Sequence, residues 1–151
     1  MSSEPIKLDQ FILAIKDLQQ SNLESLKKQL INSLTKLIQT NNELYQETTS
    51  MKHQLSLNDT NELELKDLST LYTETIDDNK IVIKEQKSRI KAIHDELVNR
   101  GTISYEDKIK SEAQIFNDLN SLDNSIPVDI KKDDEIQNDD DPNTDQEGVY
   151  L

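Results

Sequence analysis

Residues 21–57 read SNLESLKKQLINSLTKLIQTNNELYQETTSMKHQLSL, and their spacing decides the fold. Leu23, Leu30, Leu37, Leu44 and Met51 recur at every seventh position; Leu34, Asn41, Thr48 and Leu55 fall four residues after the second to fifth of these. Alternating steps of three and four keep one stripe of a helix turned toward one partner, the sequence form of a coiled-coil seam. Ser21 and Glu24 have the spacing of a capping box, expected to satisfy amides at the helix start. At about 1.5 Å per residue the segment is a rod roughly 50 Å long.

Asn58-Asp59-Thr60-Asn61 follows, four turn-forming residues in a row. A second periodic stretch then runs through Leu65, Leu68, Tyr72, Ile76, Asn79, Ile83, Gln86, Ile90, Ile93 and Leu97. The interval 68–72–76 uses two steps of four, which predicts a local stutter in the supercoil. Arg100-Gly101 closes it, with a cation in the last turn and a glycine suited to a left-handed cap. The two rods match in length and their link is too short for anything but reversal, so an antiparallel helical hairpin is predicted over 8–101. The fold class is all-α.

Shorter segments flank the hairpin. Residues 1–7 are polar and expected to be mobile. Leu8, Phe11, Ile15 and Leu18 mark one face of a short helix with Ile12 beside it, ending at Gln19-Gln20-Ser21. So short a helix gains its stability by packing and should dock on the rods; the alternative is a partner-binding flap. Ser104 is placed to cap a further helix in 102–122, with Tyr105, Ile109, Ala113, Phe116 and Leu119 on one face. Residues 123–151 hold ten acids and two lysines, interrupted by Pro127 and Pro142, and read as a disordered acidic tail.

Two features point to partners. Asn41, Asn79 and Gln86 interrupt the seam; each is either a register-setting buried amide or a polar position tolerated at the solvent edge, and spacing alone leaves both open. Ile31, Ile38 and Tyr45 repeat beside the first seam, and Leu71 and Val82 lie off the second. A hairpin has one internal seam, so this extra strip needs cover from the leading helix, the helix after Gly101, a second copy or another protein.

Composition excludes much else. The 151 residues carry a net charge of −13, with 33% hydrophobic residues, no Trp, no Cys, two Gly and three Pro. That supports narrow helical seams more readily than a globular core. The body, residues 1–122, holds 20 acids against 15 bases, so no basic stripe suits a nucleic acid. Phe11 to Ile15 is the longest apolar run, too short for a membrane span or signal core, which predicts a protein of the cytosol or nucleus. His53 and His94 lack cysteine partners and are expected to be solvated helix positions, with no metal or other cofactor. Phosphate loops, nucleophile elbows and metal motifs are missing, so no enzymatic activity is expected.

Pro5-Ile6 with Phe11 and Ala14-Ile15, then Asn32-Ser33-Leu34 with Leu37, Asn41 and Leu44, resembles the fungal ATPase-dedicated chaperone of the proteasome regulatory particle. That family is also called translation-machinery-associated. Leu71-Tyr72, Glu74-Thr75-Ile76, Asp78-Asn79 and Ile81-Val82 continue the resemblance, which spans about residues 4–100. The link at Asn58–Asn61 looks shorter and less acidic than the family leads one to expect, and the region after Gly101 lies outside the resemblance. The resemblance implies a non-catalytic, stress-linked assembly chaperone that binds one triple-A ATPase subunit of the proteasome base and helps it pair with its neighbour. Ile31, Ile38, Tyr45, Leu71 and Val82 are then the candidate client surface, by helix-in-groove packing. Val149-Tyr150-Leu151 fits the hydrophobic–Tyr–any pattern of tails that dock in core-particle pockets; the alternative is a chance ending. The family's other name implies ribosome association, expected through protein contacts or co-purification. The competing reading is a structural coiled-coil subunit of a stable complex. Prefoldin-type subunits also pair long helices, but a four-residue link leaves no room for their intervening β-hairpins.

Overall fold

A computed structural model describes residues 6–57 and 62–125. Four helices account for most of them: α1 (Leu8–Ile15), α2 (Gln20–Ser56), α3 (Glu62–Asn99) and α4 (Tyr105–Leu122), with no strand among the described residues. Residues 58–61, where a turn is predicted, residues 1–5, and all but the first three residues of the 123–151 segment lie outside this description, Val149, Tyr150 and Leu151 included.

The predicted hairpin is observed. Asn79 Nδ2 donates to Asn41 Oδ1 at 2.9 Å, and Leu23 packs with Ile93 and Leu97 while Leu34 packs with Ile90. Contacts between early α2 and late α3 fix an antiparallel pair. In this register Met51 lies at the level of Ser69, and Ser69 is half-buried whereas Leu68 is 39% exposed. The predicted stutter is therefore corrected: 65–69–72–76–79–83–86–90–93–97 alternates four and three without a break. Leu68 attracts notice by being apolar, but spacing assigns the seam to Ser69.

The start of α2 is a second correction. Gln19 precedes the first turn, its carbonyl accepting from the amides of Asn22 and Leu23 at 3.0 Å, and no side chain caps it. Ser21 is already inside the helix, too far along to cap it; Glu24 instead accepts from Gln20 Nε2 at 3.4 Å. The end of α3 follows the expected pattern. Gly101 has φ of 74°, Thr102 N donates to Leu97 O and Gly101 N to Val98 O, both at 2.9 Å, which is a Schellman cap. Ser104 and Asp107 then form a reciprocal capping box at the start of α4.

The short helices fill opposite flanks of the hairpin base. α1 docks through Phe11 and Ile15 against Leu23, Ala92, Ile93 and Leu97, as expected of a helix too short to stand alone. Arg89 of α3 and Arg100, just past the end of α3, hold its two ends. Arg89 donates to the Ile6 carbonyl and lies 5.6 Å from the Phe11 ring centroid, while Arg100 Nη2 reaches the Ile15 and Lys16 carbonyls at 3.1 Å. On the other flank α4 runs back along α3, placing Leu119 among Leu34, Ile38 and Ile90. Asn42 Nδ2 donates to the Leu122 carbonyl at 2.8 Å, and Asn42 Oδ1 accepts from the Asn124 amide at 3.1 Å. The buried face of α4 differs from expectation near its start: Tyr105 and Ile109 are exposed, and Glu112 is buried instead.

Candidate functional site

Heptad position sorts the candidate residues by flank. On α2 the positions just past the seam toward α4 are Ile31, Ile38, Tyr45 and Lys52; on α3 they are Lys66, Thr73, Lys80, Lys87 and His94. Ile38 is 3% exposed and Ile31 half-buried, both packed where α4 crosses. These two are therefore not a free client surface: α4 is the cover that the extra strip requires. Tyr45 lies one turn beyond the point where Asn42 holds the end of α4 and stays 37% exposed. Lys80 Nζ sits 5.7 Å from its ring centroid.

Leu71 and Val82 belong to the opposite flank. Leu68, Leu71, Thr75, Asp78, Val82, Glu85, Arg89, Ala92 and Glu96 form the side of α3 on which α1 docks, and α1 covers only its last third. Leu68, Leu71 and Val82 remain open at 39%, 55% and 36% exposure. A cleft of about 440 Å³ lies where this strip meets α1, lined by Ile6, Leu8, Val82, Glu85 and Arg89 among others. A second, of about 200 Å³, adds Leu30 and Gln86. Gln86 Oε1 is buried there without a hydrogen-bond partner among the described residues. Above α1 this flank carries Glu43 and Glu47 from α2 with Asp78 and Glu85 from α3, against one base, Lys36, a heptad before Glu43. It is an apolar groove with acidic walls.

In the seam, Asn41 is 6% exposed; it accepts from Asn79 and donates to the Ile76 carbonyl at 3.4 Å. The amides thus meet across the hairpin, whereas Gln86 lies apart from them.

The structure also gathers a polar cluster that spacing did not signal. His94 is fully buried, contrary to the expected solvated position, with Nδ1 2.9 Å from Glu112 Oε2. A carboxylate accepts, so Nδ1 donates; Nε2 finds no partner among the described residues. Lys108 Nζ lies 3.4 Å from both Glu112 and Asp95. Burial alone would raise the Glu112 carboxyl, but the His94 hydrogen bond and the Lys108 charge hold it below its ordinary value. Burial alone would lower Lys108, yet the charges of Glu112 and Asp95 hold it above its ordinary value. The cluster clamps α4 to α3. His94 occupies a flank position like that of Lys87; both face α4, where His94 meets the Glu112 carboxylate and Lys87 the Phe116 ring.

The arrangement offers surfaces for helices and charged segments; among the described residues no group of three or more His, Cys, Asp or Glu is placed to hold a metal ion, and no helix is long and apolar enough to cross a membrane. No curated protein and no solved structure matches the chain. A family model described as the TMA17 helical domain matches residues 7–104, 98 of the 151. α1, both rods and the Gly101 cap fall inside that match, while α4 begins just beyond it. The chain belongs to the TMA17 helical-domain family.

Proposed function

We propose that this chain is a non-catalytic assembly chaperone that captures the coiled-coil segment of a triple-A ATPase subunit of the proteasome base. Membership of the TMA17 family and the resemblance to the proteasome chaperone support the client class. The observation that carries the mode is the open flank above α1, where Leu68, Leu71 and Val82 line a groove whose walls carry four carboxylates against the single base Lys36. Such a groove selects an amphipathic helix with an apolar stripe and basic margins. An unpaired coiled-coil helix of an ATPase subunit presents that kind of stripe until its neighbour arrives. Capture covers the client's seam stripe while it is unpaired, and release follows when the neighbour takes the same stripe. A working place in cytosol and nucleus, with greater demand under stress, follows from the same reading.

The test uses the full chain and the isolated N-terminal helices of the ATPase subunits. Leu71→Asp with Val82→Asp should weaken binding of the preferred helix by about 2 kcal/mol, roughly thirtyfold in Kd, with helicity and Tm retained because both positions are exposed. Unchanged affinity would remove this flank from the mechanism. Affinity purification addresses the client class separately: one or two ATPase subunits at sub-complex stoichiometry support a chaperone, and stoichiometric recovery of an unrelated helical complex would mean a permanent subunit.

A further inference from the structure

We propose that the acidic segment after Ser125 docks in cis along the groove that α4 leaves open toward the hairpin tip. The groove continues the surface α4 occupies. Lys87 and Lys91 lie 5.8 and 5.5 Å from the Phe116 ring centroid, and Lys80 and Lys84 repeat them one heptad nearer the tip. On α2, Tyr45 repeats Ile38 in the same way, and Lys52 follows a heptad later. Past the end of α4 the groove thus presents Tyr45, Lys52, Lys66, Lys80 and Lys84. Asp77 is the one carboxylate at these flank positions of α3 between 66 and 91, and α2 contributes none from 42 to 56. Among the described residues, Lys52, Lys80 and Lys84 form no ion pair with a carboxylate, and Lys66 pairs with Glu62 at 3.2 Å.

Three observations select the occupant. Asn42 holds Leu122 and Asn124, so the chain leaves α4 at the mouth of this groove, one turn from Tyr45. The next residues alternate apolar and other types, Ile126, Val128 and Ile130, and suit the Tyr45 ring. Beyond them come Asp133-Asp134-Glu135 and Asp139-Asp140-Asp141; residues 126–151 hold nine acids against two lysines, a net of −7. A groove from residue 42 to residue 56 is about 20 Å long at 1.5 Å per residue, well within reach of 26 residues. The opposite flank carries Glu43, Glu47, Asp78 and Glu85 against Lys36, a net negative charge that disfavours the same segment. Docking therefore concentrates the segment on one side of the tip and leaves the Leu71–Val82 side open.

The chain has no cysteine, so Asn138→Cys gives the full-length protein one attachment point for a nitroxide. Amide signals of 44–55 and 66–80, toward the tip, should lose intensity, while those of 20–30 and 92–99 at the hairpin base, about 30 Å away at 1.5 Å per residue, keep theirs. The loss should disappear at 1 M salt, where the screening length is about 3 Å, and in the triple variant Lys52→Glu, Lys80→Glu, Lys84→Glu. Loss no greater at the tip than at the base, or loss that persists in the triple variant, overturns the proposal. Mixing nitroxide-labelled chains with isotope-labelled, cysteine-free chains should give no loss; loss there would make a second copy the occupant and overturn docking in cis.

Discussion

His94 sits beside the seam of the second rod, at the position Lys80 and Lys87 occupy two heptads and one heptad earlier. Helix spacing marks such a residue as solvated, and in a two-helix hairpin it would be. The difference lies in α4, whose Glu112 meets the imidazole at 2.9 Å while Lys108 and Asp95 complete the cluster. Linkage converts this geometry into a pH response. Glu112 titrates below its ordinary 4.5 in the folded chain, so its contribution is complete above that value and is lost as pH falls through the lowered folded-state pKa. Lys108 is raised above 10.5, so its contribution is complete below that value and is lost as pH rises through the folded-state pKa. Thermal melts across pH should show a Tm that falls toward acid more steeply in the parent than in Glu112→Gln. A parallel fall in both would show that the pair contributes nothing to acid stability. The Asn41–Asn79 contact was easier to anticipate, because polar residues on an apolar stripe stand out. A polar residue off the stripe, such as His94, carries no such mark.

Each helix follows from spacing and end signals, yet the faces of the two short ones depend on what they meet. The second rod is legible once spacing outranks polarity, since Ser69 keeps the alternation that Leu68 would break. The start of α2 was misplaced because Ser21 and Glu24 fit a cap by composition, whereas the turn from α1 delivers the chain at Gln19. α4 was read from Tyr105 and Ile109, but the helix turns Lys108 and Glu112 inward to reach Asp95 and His94. α1 is an eight-residue element whose terminal carbonyls need partners, and Arg100 supplies two hydrogen bonds to them. Arg100→Ala should therefore free the C-terminal end of α1. Native-state hydrogen exchange should speed up at residues 11–18 and remain unchanged across α4, whose contacts lie on the other flank. Equal acceleration in α1 and α4 would mean that Arg100 supports the bundle as a whole and not this helix end.

Over the whole molecule the core is uneven, because the flanking helices cover only the base of the hairpin. Ile15, Leu23, Leu34, Ile90, Ile93 and His94, the large side chains buried to below 2% exposure, all lie where α1 or α4 joins the rods. Toward the tip, among the described residues, only Thr48, Met51 and Ile76 fall into the buried class, and Leu44, Leu55, Leu65 and Tyr72 are half-exposed along a single seam. A two-helix seam buries too little apolar surface to match a buttressed one, so the tip should open without unfolding the base. Hydrogen exchange in the full chain should therefore be graded: amides of 44–55 and 65–76 exchange through local opening, and those of 23–38 and 86–97 only near the global limit. The gradient has a functional corollary under the proposed client capture. A helix seated against Leu68, Leu71 and Val82 would add a third strand of packing to the weaker half, so its binding should slow exchange at the tip more than at the base. The same measurement separates this from capture at the base: protection confined to 23–38 and 86–97 would place the client beside α1 and leave the tip without a role in recognition.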